Sequence, residues 1–430
     1  MLQKITTPIK AEWEELCKRP SLARKDLDET VRQIFSEIMR NGDSALKKYT
    51  QFFDNVTIEN LKATDAEIKE SRSQISDKVK NAIALAKNNI EKFHIAQVEQ
   101  KQVIETSIGV NCWRESRAID NIGIYIPGGS APLFSTVLML GIPAKIAGCK
   151  NIVLCTPPDK NGTINPLILY VAQLIGITAV YKIGGIQAIG AMAIGTRTIP
   201  RVDKIFGPGN QFVTAAKQAA LNYSVAIDLP AGPSELLVIA DKTSNPEFIA
   251  ADLLSQAEHG PDSQVILLSD DKSIIESTLI ALKMQTEKVP RKDTVLKALE
   301  NSKAILLQDI ADCIDFSNRY APEHLIIASE HANDLAPKIT NAGSVFLGNF
   351  SCESAGDYAS GTNHTLPTNG YAKNYSGVAV DSFVKKITFQ EISAAGIQNI
   401  GPAIEILAEA EQLLAHKNAV TIRLKSLKNE

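Results

Sequence analysis

Gln256 and His259 stand three positions apart, Asp357 lies in a glycine-rich stretch, and His416 lies near the C-terminus. They are nitrogen and oxygen donors from well-separated segments, with no cysteine among them. Such a mixed set suits a zinc ion that keeps a position open for a reactant, which is catalytic rather than structural use of a metal. Five of the six histidines (His259, His324, His331, His364, His416) lie beyond residue 258, and only His94 stands apart. Each of them taken alone reads as an ordinary surface or core imidazole, so their setting has to decide.

In Leu253-Leu254-Ser255-Gln256-Ala257-Glu258-His259-Gly260 the three-residue spacing puts Gln256 and His259 on one helix face, beside the helix end that Gly260 and Pro261 impose. Glu258 turns about 100° away from His259 and reads as a supporting or surface carboxylate. A second pair, Glu323-His324, follows Pro322 where a strand should begin. A carboxylate beside an imidazole of reference pKa about 6.5 can move protons near neutrality, although a surface glutamate and a half-buried histidine fit the same spacing. The stretch Glu353 to Pro367 is rich in small and polar residues, holds Asp357 and His364, and reads as a binding loop rather than core. Glu411 and His416 would sit about 140° apart on an ideal helix, so spacing alone does not unite them.

Three glycine-rich turns stand where strands should end: Pro127-Gly128-Gly129-Ser130, Gly184-Gly185-Ile186-Gln187 and Gly207-Pro208-Gly209-Asn210. Glycine permits close backbone approach, and the helix that follows offers free amides to a pyrophosphate. None completes Gly-x-Gly-x-x-Gly, because Phe212 occupies the last position of the nearest match, and plain tight turns remain an alternative to a dinucleotide site.

These residues need a scaffold, and 430 residues suffice for two or three domains that together bury roughly three quarters of the unfolded surface. A net charge of −3 with no basic block argues against a nucleic-acid partner. The opening Met1 to Pro20 has no apolar core and is not a secretory signal, and the apolar runs Leu133 to Ala147 and Pro166 to Tyr181 are too interrupted to span a membrane. The six dispersed cysteines (Cys17, Cys112, Cys149, Cys155, Cys313, Cys352) make no Cys-x-x-Cys pair and fit buried thiols in a reducing compartment, the cytoplasm. Cys112 and Cys352, in polar turns, are the candidates for a catalytic thiol.

The segment 22–96 reads as helical scaffold, with Val31, Ile34, Phe35 and Ile38 at helical spacing and Asn41-Gly42 closing the helix; 103–120 reads as a hairpin around Gly109. Strands are expected at Ile122–Ile126, Ile152–Cys155, Val180–Ile183, Lys204–Phe206 and Val225–Asp228. A second set is expected at Leu236–Ala240, Val265–Leu268, Ala304–Leu307, Leu325–Ala328 and Ser344–Leu347, with helices between, and a last strand at Ile387–Ile392. The alternation predicts an α/β fold of two Rossmann-like parallel-sheet domains, one inserted in the other, with ligand between them at the carboxyl ends of the strands. The expected division is an N-terminal extension 1–21, a domain of 22–120 and 234–379 carrying metal and catalytic residues, an inserted domain 121–233 binding NAD, and a C-terminal extension 380–430.

The block Ile227-Asp228-Leu229-Pro230-Ala231-Gly232-Pro233-Ser234-Glu235 followed by Ala251-Asp252-Leu253-Leu254-Ser255-Gln256-Ala257-Glu258-His259 resembles the histidinol dehydrogenase family. The loop Tyr320 to His324, the run Gly356 to Pro367 and the terminal His416 to Arg423 agree with it too, and no functional position departs. The resemblance implies one zinc per subunit held by Gln256, His259, Asp357 and His416, the last reaching across an intertwined homodimer. It implies that Ser234, His364 and Glu411 contact substrate together with these ligands and His324, and that Tyr125, Gln187 and Asn210 bind NAD. His324 would be the general base and Glu323 would activate water, in a four-electron oxidation of L-histidinol through L-histidinaldehyde to L-histidine. Manganese or cobalt would suit the same donors. Two other classes compete: a zinc hydrolase in which Glu323 activates water, against which the three glycine-rich turns argue, and a metal-dependent binding protein, which leaves the Glu323-His324 loop unexplained.

Overall fold

The computed structural model describes residues 2–20, 25–128, 132–230 and 232–428. Among these, the strands form three sheets. The first is parallel, in the spatial order Ala179–Lys182, Asn151–Thr156, Asn121–Tyr125, Lys204–Phe206, Ala226–Ile227. The second is also parallel, in the order Gln3–Thr6, Lys303–Leu306, Gln264–Ser269, Glu235–Ala240, His324–Ala328, Ser344–Leu347. Counted from Asn121 and from Glu235, both follow the doubly wound order 3-2-1-4-5, and the second sheet gains one strand at its edge.

Helices cover both faces of each sheet, and the strand sequences show why they must. Leu236, Val238, Ala240, Val265 and Leu267 pack into one core, while Leu237, Ile239, Ile266 and Leu268 pack into another. Alternate side chains point to opposite faces, and both faces are dry, so the strand has to be apolar throughout. The first sheet divides in the same way, with Ile122, Ile124 and Leu154 on one side and Tyr125, Val153 and Cys155 on the other.

Two expectations about domains fail. The helices Lys25–Asn41 and Asp43–Asp54 do not join the second sheet; Val31, Ile34, Phe35, Ile38 and Leu46 pack with Tyr125, Val153 and Ile189 of the first. Asp77–Ile95 covers the opposite face through Ile83 and Ile90. Periodicity shows that a helix has an apolar stripe but not which sheet the stripe meets. Gly190 supplies the fit, since a Cβ there would lie 2.7 Å from Ile38 and 3.3 Å from Phe35. The segment assigned to an N-terminal extension contributes the edge strand Gln3–Thr6, which pairs with Lys303–Leu306, and Trp13 is buried in the second domain's core.

The third sheet is antiparallel: Val110–Ala118 lies between Val103–Ser107 and Val384–Ile392. It contains the expected hairpin, turned at Gly109 with φ +80°, and the expected late strand. The helices Ala394–Ala410 and Leu414–Ser426 follow and leave Ile406, Leu407, Leu413, Leu414 and Ile422 exposed. No helix among the described residues is long and apolar enough to cross a membrane.

Candidate active site

Glu235 and His324 open adjacent parallel strands, with His324 opposite Leu236. The helix Pro246–Ala257 returns antiparallel to its strand, as a crossover requires, and brings Gln256 back to the edge where the strands start. His259 lies just past the helix end, its N–H donating to the Gln256 carbonyl at 3.2 Å, so it is held by a turn and not by the helix face expected. Glu353–Tyr358 is a short helix rather than a loop, and its four-residue spacing sets Glu353 and Asp357 on one side. The cluster therefore forms at the amino ends of the second sheet, whereas the expectation placed ligand at carboxyl ends. The return helix and the loop into His324 both arrive at the amino edge.

The side chains meet closely there. One donor atom each from His259, Glu353 and Asp357 falls within 4.8 Å of the others. Glu353 is buried and His259 is exposed at the rim. Glu353 escaped the sequence reading; its position four residues before Asp357 was the available signal. With its amide oriented by its partners, Gln256 donates from nitrogen to Glu353 and accepts at oxygen from the Glu235 N–H at 3.2 Å. Glu323 accepts from that same N–H at 2.8 Å. His324 Nδ1 contacts the Glu235 carbonyl at 3.2 Å, and because a carbonyl only accepts, Nδ1 carries the proton. Nε2 is then the free basic atom; it lies 3.6 Å from Asp357 Oδ1 and is buried without a hydrogen-bond partner among the described residues. His364 joins the two domains, with Nδ1 3.0 Å from the Asp357 carbonyl and Nε2 3.0 Å from Thr136 Oγ1. His94, the histidine set apart by position, is a core residue 2.8 Å from the Ile90 carbonyl.

Burial pushes the Glu323 carboxyl up to about 8. Burial alone would lower His324, but Glu323, Glu353 and Asp357 surround it and raise it to about 10. Glu353 is raised well above the carboxylate range, again chiefly by burial. Burial resists ionising Glu323 and Glu353 with no cation beside them, and a metal ion placed among these carboxyls would favour their charged forms.

The glycine-rich turns build a separate cavity at the carboxyl ends of the first sheet. It measures about 760 Å³ and is lined by Tyr125, Gln187 and Asn210 together with Gly128, Gly185 and Asp54. All three residues expected to hold a dinucleotide thus share one cavity. Gly207 adopts φ +133° directly over Tyr125, where a Cβ would lie 2.1 Å from the Tyr125 carbonyl oxygen. Tyr125 Oη accepts from the Gly185 N–H at 3.0 Å. Asn210 caps the helix Gln211–Ala220, its Oδ1 accepting from Phe212 and Val213 N–H at 3.1 and 3.2 Å, which leaves its NH₂ for a ligand. Both polar atoms of the Gln187 amide are buried without a partner among the described residues. Gly129 and Ser130 of the first turn, and Ala231 of the crossover between domains, lie outside the described residues.

Ser234 sits beside the cluster, immediately before Glu235, with its carbonyl accepting from Gln264 N–H at 3.1 Å. Glu411 and His416 are not brought to it. Glu411 ends the helix Ala394–Ala410, Gln412 turns at φ +60°, and His416 is exposed on the next helix.

The family profile for histidinol dehydrogenase matches residues 17–424. The chain belongs to the histidinol dehydrogenase family. Histidinol dehydrogenase of Bacteroides thetaiotaomicron is 55% identical over the full length of both chains, and that of Pectobacterium atrosepticum is 51% identical over 97% of this chain and 95% of its own. The crystal structure of histidinol dehydrogenase from Elizabethkingia anophelis superimposes with a TM-score of 0.98 at 62% identity, covering 99% of each chain. An acetylating aldehyde dehydrogenase from Geobacillus thermoglucosidasius, at TM-score 0.50 and 14% identity, shares the fold alone. The histidinol dehydrogenase family is one of oxidoreductases, and both sequence blocks that carried the resemblance reach the cluster around Glu323 and His324, one through Glu235 and the other through Gln256 and His259.

Proposed function

We propose that the protein is an NAD-dependent, zinc-containing histidinol dehydrogenase that oxidises L-histidinol to L-histidine through L-histidinaldehyde. The observation that carries this is the clasp of Glu323 and His324 on the Glu235 backbone, beside His259, Glu353 and Asp357. The donor set fits a divalent metal: an imidazole and two carboxylates converge, and the field around them is acidic. His259, Asp357 and Gln256 would hold the ion, completed by His416 of a second copy, since His416 is exposed and the apolar helices around it lack a cover. When bound, the ion supplies a fixed positive charge that orients the nitrogens of histidinol and offsets the acidic field raising His324. When bound in the cavity of Tyr125, Gln187 and Asn210, a nicotinamide supplies the hydride acceptor.

The chain's own residues do the rest. His324 Nε2 receives the hydroxyl proton as the carbinol C–H bond breaks, leaving the aldehyde. Its Nδ1 stays pinned to the Glu235 carbonyl and keeps the ring in the productive tautomer. Glu323 takes a proton from water as the water oxygen attacks the aldehyde carbon, while His324 returns its Nε2 proton to the carbonyl oxygen; the freed Nε2 then takes a hydroxyl proton from the resulting hydrate as the second C–H bond breaks. His364, Ser234 and a second copy's Glu411 would line the substrate, and burial of the dyad keeps the reactive aldehyde from bulk water.

The test is NADH formed per histidinol consumed, before chelation, after it, and after zinc is restored. Two NADH per histidinol, lost and regained with the metal, is the expected result; no NADH from the metal-loaded protein would refute the reading and favour a hydrolase.

A further inference from the structure

Arg19 belongs to the N-terminal segment expected to be an extension, yet it lies largely covered at the root of the active site. Its Nε donates to Glu235 Oε1 at 2.6 Å and its Nη2 to Glu235 Oε2 at 2.9 Å, with only 14% of the arginine side chain and 2% of the glutamate side chain exposed. Nη2 also donates to the Tyr320 carbonyl at 2.8 Å and reaches the Ala321 carbonyl at 3.3 Å. The guanidinium lies over the Tyr320 ring, 3.8 Å from its centroid, and Tyr320 Oη is in turn fixed on Gln264 at 2.7 Å.

Those partners are the two anchors of the Glu323-His324 pair. The Glu235 peptide groups hold Glu323 Oε2 and His324 Nδ1 directly. Tyr320 and Ala321 are the residues from which the chain enters Pro322-Glu323-His324, and Ala321 takes φ +54°, a left-handed conformation that a residue with a Cβ avoids unless its surroundings impose it. A single planar fork spans the strand that grips the pair and the turn that delivers it.

We propose that Arg19 is a positioning residue for the reaction, setting the register of Glu323 and His324 against the Glu235 backbone. The inference rests on the histidinol dehydrogenase reading above. Lysine cannot substitute, because a point-like ammonium cannot meet both carboxylate oxygens and two carbonyls in one plane or stack on the tyrosine ring. Arg19 does not line the cavity of Tyr125, Gln187 and Asn210, so cofactor binding should be indifferent to it.

The experiment uses the full-length, zinc-loaded protein as wild type, Arg19→Lys and Arg19→Ala, with histidinol and NAD as substrates. Arg19→Lys should fold and keep its KM for NAD while kcat falls by about 10²-fold, the scale of an ångström misplacement of a catalytic group. Arg19→Ala should fall further and recover in part with added guanidinium ion, but not with ammonium at the same concentration. A wild-type kcat in Arg19→Lys, or in Arg19→Ala equal recovery with either cation, would overturn the inference and leave the function standing. Wild type that makes no NADH from histidinol would overturn the function and the inference with it. Should Arg19→Ala fail to fold, Arg19→Lys decides.

Discussion

Lys217→Met should cost the first domain about 3 kcal/mol and loosen the Gly207–Asn210 turn beside the proposed NAD cavity. Lys217 and Asp228 form an ion pair whose side chains are only 3% and 1% exposed. Lys217 Nζ donates to the Gly207 carbonyl at 2.9 Å, and Asp228 accepts from Gly207 N–H at 2.8 Å and Leu229 N–H at 2.7 Å. The pair therefore grips both ends of Gly207, three residues before Asn210. Removing one partner of a buried pair costs about 3–5 kcal/mol, because the other charge is left uncompensated. The two backbone N–H groups still bonded to Asp228 place this case at the lower end. Lys217→Met with Asp228→Asn removes the stranded charge, so the double variant should be more stable than the sum of the two single losses by about 1–3 kcal/mol. Urea unfolding of the four proteins gives the cycle, and steady-state kinetics should show KM for NAD raised in Lys217→Met with KM for histidinol unchanged. A loss below about 1 kcal/mol in Lys217→Met, or strict additivity in the cycle, would refute the reasoning, since neither is compatible with a coupled, desolvated pair.

Gly207→Ala should be worse than a usual glycine substitution, because the clash at 2.1 Å is with the Tyr125 backbone carbonyl, which no side-chain rotation relieves; a protein with unchanged Tm and NAD affinity would count against it. Asp54, which lines the same cavity with Oδ2 unpartnered among the described residues, is pushed by burial from 3.8 up to about 6. The folded state then binds more protons than the unfolded state between these values, so the group costs stability as pH rises through that window. Asp54→Asn should accordingly raise Tm by an amount that grows from pH 4 to pH 7 and levels off above it; a gain independent of pH would refute the assignment. His416→Ala should lose zinc while staying folded, as read by metal content and circular dichroism. Mixing it with Glu323→Gln should restore activity, because hybrid dimers would hold one site with both residues intact, whereas no recovery would mean that sites are not shared.

Local physics made much of the scaffold legible. Each of the ten strands expected between residues 122 and 347 is present, with no end shifted by more than one residue, because strands buried on both faces must be short apolar runs. The glycine-rich turns around the cavity were legible for a similar reason, whereas the choice of Tyr125, Gln187 and Asn210 within or beside them came from the family resemblance alone. The strand Gln3–Thr6 was not, because Gln-Lys-Ile-Thr at a sheet edge needs little apolar character and gains its identity only by pairing with a segment three hundred residues away.

The catalytic cluster divides along the same line. Glu323 beside His324, and Gln256 three residues before His259, were fixed in relation to each other by chain connectivity, so the sequence alone determined that two capable pairs exist. Only the tertiary structure decided that they face each other, at the amino edge of the second sheet, with Glu353 between them and Arg19 beneath. Arg19 and Glu235 are 216 residues apart, and nothing local to either predicts a bidentate contact. Short-range spacing sets what a helix turn or a strand presents, whereas the meeting of distant charges follows from which elements pack together, and that depends on burying apolar faces throughout the molecule.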